Sequence, residues 1–303
     1  MFDVKYFFLP LAKKYLIMKQ FILSTLCLFI MNWGWSQNQR FTYEYKFAVD
    51  STKKDSLISE IMNLDVYKEK SVFYSKTKQE NDSIINQEIK KQSQISSGNI
   101  NLSHLKDMKR AKVKDWVLKT YPNYEVELYT RIGFNDYAVR DERKMEWKIT
   151  PEHETFKNWK VQKATTEFAG RKWTAWFTTD IPIPDGPYKF HGLPGLIVKM
   201  EDHQKMFSFE LIGSQKINNT QEVNLTDKLI NLVKIDRKQF KKAFQENRSD
   251  PAKSFRMMGS NVVLKASING KEVSQSELIK KMEKSAKEKM KRENSFIEQD
   301  WIE

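Results

Sequence analysis

Cysteine is nearly missing from this 303-residue chain: Cys27 stands alone, inside an apolar run and directly after Leu26. A lipid-carrying cysteine would close such a run behind a small residue, so this one does not mark a lipoprotein. Past Cys27 the sequence holds no disulfide, no thiolate metal site and no thiol nucleophile. Histidine is scarce as well, at four residues. His-Glu-x-x-His, a Gly-x-Ser-x-Gly elbow and a phosphate loop are all missing. Long apolar runs are limited to Phe21–Met31, about eleven residues where a membrane span needs about 20.

That one run follows Met18-Lys19-Gln20 and precedes Gly34, Ser36 and Gln37, the order of a secretory signal. Residues 1–37 are therefore expected to be a signal peptide. Residues 1–17, with Lys5, Lys13 and Lys14, either lengthen its positive region or reflect a start read too early. A cysteine-free exported chain suits the periplasm, the cell envelope or the exterior of a bacterium better than a disulfide-stapled secreted domain. The formal charge is +13, and residues 1–37 hold four Lys and one Asp, so +10 remains without them. Such an excess fits anionic surroundings or plain solubility. Export, and the lack of a base-stacking motif, argue against nucleic acid.

What is there is β-rich. "FTYEYKFAV" puts Phe41, Tyr43, Tyr45 and Phe47 on one face, and "IMNLDVYKEKSVFYS" reads as two strands around a polar turn. Further strands are expected at 125–129, 137–140, 145–149, 159–168, 172–178, 195–200 and 206–213. Ala169-Gly170-Arg171 and Asp202–Lys205 are read as hairpin turns. Short turns without intervening helices imply an antiparallel meander. Residues 76–115 form a polar excursion, either mobile or weakly helical. From 226 to 303 the pattern turns helical: Leu229, Leu232, Val233, Phe240 and Phe244 share one side of a helix over 226–247, which Asp250-Pro251 ends. A strand-like piece over 261–268 leads to an Asn269-Gly270 turn, and Ser274-Gln275-Ser276-Glu277 is a capping box opening a last, weakly apolar helix. Residues 38–303 thus read as a single α+β domain: a curved, half-barrel-like antiparallel meander with C-terminal helices packed on or beside it.

Punctuation concentrates in "FAGRKWTAWFTTDIPIPDGPYKFHGLPGLIVKMED", residues 168–202. Pro182, Pro184 and Pro187 remove amide donors and hold their predecessors extended. Gly186, Gly192 and Gly195 permit close backbone approach or positive φ. Leu193-Pro194-Gly195 fits a tight turn with proline second and glycine third. Trp173 and Trp176, three apart on a strand, face opposite sides. The segment is expected to be a stiff crossover delivering Leu196-Ile197-Val198 into the next strand, and its aromatic rim could border an apolar cavity.

In these residues the chain resembles the GLPGLI family, exported proteins of Bacteroidota named for Gly192-Leu193-Pro194-Gly195-Leu196-Ile197. The resemblance rests also on Gly170, Arg171, Trp173, Trp176, Ile181, Pro182, Gly186, Pro187 and Phe190, with His191 directly before the hexapeptide. It reaches loosely from Leu64-Asp65 to Asp250-Pro251. A cysteine frequent in the family would fall at Val161, where this chain has none. The resemblance implies export and supplies no reaction.

Catalysis would have to come from His191 beside Asp180, Asp185 or Asp202, as in a hydrolase dividing acid and base roles. The spacing of His191 and His203 matches no metal pattern, and His104 and His153 sit among charges with no chemistry beside them. Arg171 suits a structural pair with a carboxylate or carbonyl. The expectation is a non-enzymatic binding, carrier or accessory module for an apolar, lipidic or peptide ligand, with no cofactor or metal. The alternatives are a partner protein of an outer-membrane complex or the hydrolase.

Overall fold

Alternating aromatic and polar residues make Gln39–Ala48 the strand β1, with Phe41, Tyr43 and Tyr45 buried on one face. The computed structural model describes residues 38–95, 100–218, 232–257, 266–268 and 271–302. Residues 1–37, the expected signal, lie outside them. β2 (Leu57–Val66), β3 (Lys70–Ser75), β4 (Trp116–Thr120), β5 (Glu125–Ile132) and β6 (Asn135–Asp141) follow as antiparallel neighbours. A second meander comprises β7 (Lys148–Phe156), β8 (Trp159–Phe168), β9 (Arg171–Thr178), β10 (Leu196–Asp202) and β11 (Phe207–Lys216). β11 returns to pair with β1, and β12 (Leu232–Asp236) adds in parallel to β6. The result is one curled 12-stranded sheet, ordered β12-β6-β5-β4-β3-β2-β1-β11-β10-β9-β8-β7 among the described residues. The fold is α+β and β-rich.

Inward side chains of both meanders form one core around Tyr43, Leu64, Phe73, Leu128, Trp173 and Phe209. Aromatic geometry orders it: Tyr45 stacks on Phe209 at 4.3 Å and 4°, and Phe73 meets Phe209 edge-on at 6.0 Å. The outer face carries a smaller cluster of Val72, Tyr74, Trp116, Tyr129 and Ala138.

The polar excursion forms a helix, α1 (Lys76–Ile95), against β2 and β3. Local pairing supports it: Ser75 Oγ accepts the Lys78 amide at 3.1 Å, and Lys78 meets Asp82 one turn on at 2.6 Å. The helix expected over 226–247 begins later, as α2 (Arg237–Ser249), while Leu232–Asp236 are strand. Asp236 is the cause: its carboxylate takes the Gln239 amide at 2.8 Å and Gln239 returns the bond at 3.0 Å, so the helix cannot extend back through it. Leu229 lies outside the described residues. The short α3 (Lys253–Arg256) follows Asp250-Pro251. β13 (Ala266–Ile268) and β14 (Lys271–Val273) form a separate hairpin; residues 261–265 and the Asn269-Gly270 turn fall outside the described residues. Ser274 caps α4 (Gln275–Arg292) by accepting the Glu277 amide at 3.3 Å, whereas the Glu277 carboxylate goes to Lys281 at 2.9 Å.

Candidate functional site

Between β9 and β10 the hairpin opens into residues 179–195, which fold back over the concave face. The prolines explain why they leave the sheet. The Ile183 amide reaches Ile181 O, and the Asp185 amide reaches Ile183 O, each at 2.7 Å, closing three-residue turns around Pro182 and Pro184. A third such turn replaces the four-residue turn expected at Leu193-Pro194-Gly195: Gly195 N donates to Leu193 O at 2.8 Å. Proline's fixed φ suits the centre of that tighter turn. Phe190, Leu193, Leu196 and Ile197 are buried in the core. Trp173 meets Phe190 at 4.9 Å on the inside, while Trp176 is on the other face under the Lys199 ammonium at 4.5 Å.

The crossover carries two charges into this interior. Asp185, 0% exposed, pairs with Lys119, also 0% exposed, and accepts from the Tyr121 hydroxyl and, at 2.6 Å, from the Gly186 amide. Lys119 also donates to Gly186 O at 2.7 Å. Burial pushes the Lys119 ammonium down from its ordinary range, against the pull of Asp185. Burial, and the Asp185 charge, push the Tyr121 phenol up.

Four residues on lies Lys189, 2% exposed. It pairs with Asp141 at 2.8 Å and with Glu298, whose carboxylate also accepts from Tyr188 Oη at 2.6 Å. Arg143 grips Asp141 at 2.8 and 2.6 Å and reaches Glu298 at 2.5 Å, lying 4.2 Å from the Phe168 ring centroid. Burial alone would raise both carboxyls. Arg143 and Lys189 overcome it and hold Asp141 and Glu298 below the usual carboxylate range. Arg171, expected in a structural pair, meets Asp202 at 3.0 Å. Asp202 in turn caps the Met206 and Phe207 amides at 2.7 and 2.8 Å.

The acid and imidazole groups named from sequence are therefore apportioned to other partners. His191 Nδ1 bonds Lys189 O at 2.8 Å, its ring stacks on Tyr124 at 4.4 Å, and its carbonyl accepts from Trp147 Nε1 at 2.8 Å. It meets Asp185 through a backbone bridge, while that carboxylate serves Lys119 and Tyr121. Asp180 and His203 are exposed. Among the described residues no group of three His, Cys, Asp or Glu gathers to hold a metal ion. Burial lowers the His191 pKa, so its imidazole is expected to titrate below the ordinary value of about 6.5. An NMR titration following its ring protons checks this; a midpoint at or above the free value contradicts the burial.

Sequence reasoning missed Lys119, Asp141, Arg143, Tyr188, Lys189 and Glu298. The signal for Lys119 was its shared parity with Val117, and for Lys189 its place between Tyr188 and Phe190. A cavity of about 330 Å³ opens elsewhere, between α1 and the sheet, beside Tyr74, Lys78, Trp116 and Tyr129; none of its lining residues belongs to 170–197.

A family described as "Protein of unknown function (Porph_ging)" matches residues 58–199, a span that contains the crossover and the hexapeptide. No curated protein matches the chain. Two solved structures of PNGF-II, in different space groups, are similar at 16% identity and a TM-score of 0.47. They cover 70% of this chain, which spans only 34% and 33%, about a third, of theirs.

Proposed function

We propose that the protein is an exported, non-catalytic binding or accessory module of the cell envelope that engages a peptide or protein partner. One observation carries this reading: the ionisable groups around the hexapeptide are mutually paired and buried, as recognition and rigidity require and as proton transfer to a substrate does not. Tyr188, Phe190 and Leu193 occupy the concave face from within the chain, so the partner in this reading engages the protein outside that concavity. Export rests on the apolar run at Phe21–Met31 and on the resemblance of the hexapeptide region to exported proteins. Among the described residues no helix is long and apolar enough to cross a membrane.

Native mass spectrometry of protein purified from its own envelope tests the reading. A co-purified peptide or protein mass is expected. A bound lipid mass, or the mass of the chain alone, overturns it. A second reading, docking to an envelope complex through basic surface, is favoured by α4, which has lysines along its length and no buried residue. Such docking weakens as salt rises, so pull-downs at low and high ionic strength separate it from a partner held by apolar contacts.

A further inference from the structure

Residues 294–302 leave α4 and lie across the core as a strap, irregular as far as Glu298 and then closing in a single 3-10 turn over Gln299–Trp301. The Asn294 and Ser295 amides both donate to Val49 O at 3.1 Å. Phe296 O accepts from Arg171 Nε and Nη2 at 3.0 and 2.7 Å. The Gln299 amide reaches Ala169 O at 2.9 Å. Glu298, 0% exposed, enters the Lys189, Arg143 and Tyr188 site, and Trp301 packs edge-on to Phe240 at 5.2 Å. A methyl added at Gly170 would sit 3.2 Å from the Asp300 nitrogen, so that turn is shaped to the strap. This is how a groove reads a peptide: backbone bonds at intervals, one buried charge and one aromatic anchor.

Two features separate the strap from an ordinary piece of core. Its backbone bonds to the rest of the fold go to Val49 O, Ala169 O and the Arg171 guanidinium and not into a strand pairing of the sheet. It hangs from α4, which buries no residue and is held by contacts such as Arg248 to Met290 O at 3.2 Å, so its departure uncovers the places of Trp301 and Glu298 in the core but breaks no strand pairing of the sheet. The fit is also incomplete: Trp301 Nε1, Asp300 Oδ1 and Arg237 Nε are buried without a hydrogen-bond partner among the described residues, and another sequence can satisfy them better.

We propose that this face is a peptide-recognition site, occupied in cis by residues 294–302, which takes in trans a peptide carrying a carboxylate three residues before an indole, as Glu298 stands before Trp301. The inference rests on the reading of the protein as a binding module and names the site and ligand class for it. The test uses the full chain carrying Glu298→Gln and Trp301→Ala, and a fluorescent synthetic peptide of residues 293–302. Fluorescence polarisation should show the variant binding at least about tenfold more tightly than the wild-type chain, whose tethered strap competes at roughly millimolar effective concentration. A peptide with the same two changes should lose at least about tenfold. Equal binding of both peptides, or no binding by a variant that keeps its β-sheet circular dichroism, overturns the proposal. Should the variant fail to fold, hydrogen exchange on the wild-type chain decides. The amides of Asn294, Ser295 and Gln299 should exchange at least about tenfold faster than those of β1 and β11, and equal protection overturns the proposal. Because these measurements use purified protein and synthetic peptide, they succeed or fail independently of what co-purifies from the envelope.

Discussion

Gly195→Ala is expected to leave little folded protein, with a stability loss of about 3 kcal/mol or more. A Cβ at this position would stand 2.1 Å from Thr178 O and 2.7 Å from its carbonyl carbon. Both are backbone atoms of the strand that the hairpin must rejoin, so neither can swing aside. The adjoining Leu196 amide already reaches back to Ile181 O at 2.9 Å, which holds the two arms of the crossover together. Two other glycines calibrate the result. Gly192 has φ of +94° but open space, its nearest neighbour being Trp147 Nε1 at 4.0 Å; alanine there should cost only the left-handed strain, about 1–2 kcal/mol. Gly213 has nothing within 4 Å among the described residues, so alanine there should be silent or slightly stabilising. Urea unfolding followed by tryptophan fluorescence ranks the three. Equal midpoints for Gly195→Ala and Gly213→Ala would mean that the strands do not approach so closely.

The hexapeptide thus acts on the main chain. Its second glycine lets the crossover press against Thr178, its proline closes a turn without needing an amide, and Leu193, Leu196 and Ile197 carry apolar surface into the space so enclosed. The concavity that could have been a ligand cavity is filled from within the chain. What the segment delivers there, besides Phe190, is two charged side chains, and each demands a counter-charge from a distant strand.

The distinction explains what could be read from sequence. Alternation marked β1, β8, β9 and β11, where one face is buried and the other largely is not, whereas β2, β3, β5, β6 and β10 were legible as short apolar runs bounded by turns, with consecutive buried residues on both faces. β4 escaped: in Trp116-Val117-Leu118-Lys119-Thr120 both faces carry large apolar groups, and the buried lysine reads as an exposed one. β12 escaped because Leu232, Val233 and Ile235 also suit a helix, and only the Asp236 cap divides them. Trp173 and Trp176 fell on opposite faces as their spacing required. The pairs Lys119–Asp185 and Lys189–Glu298 join residues far apart in sequence. No local pattern records such pairs, since periodicity reports which way a side chain points and not what it meets.

Lys189→Met tests the larger of these pairings and should cost about 3–5 kcal/mol at neutral pH, the range for leaving buried charge unpaired. Methionine fills the stem volume, so the loss reads the ammonium and not a cavity. Asp141 and Glu298 would then share Arg143 alone, with Tyr188 as a neutral donor. Proton linkage gives the pH signature. In the wild-type chain both carboxyls are held below their ordinary values of about 4. Their stabilisation is therefore fully present above that pH and is lost as the pH falls through the lower folded values. Without Lys189 one carboxyl gains by taking a proton in the folded state, so the gap between variant and wild type should narrow as the pH falls from 7 towards about 4. Glu298→Gln removes the excess negative charge chemically. The double variant should recover at least about 1 kcal/mol relative to additivity, because the Asp141–Arg143 pair then balances itself. Urea titrations of the four proteins at two pH values measure both effects. A Lys189→Met loss under about 1 kcal/mol, independent of pH, would place the ammonium in solvent and detach Glu298, and with it the strap, from the hexapeptide region.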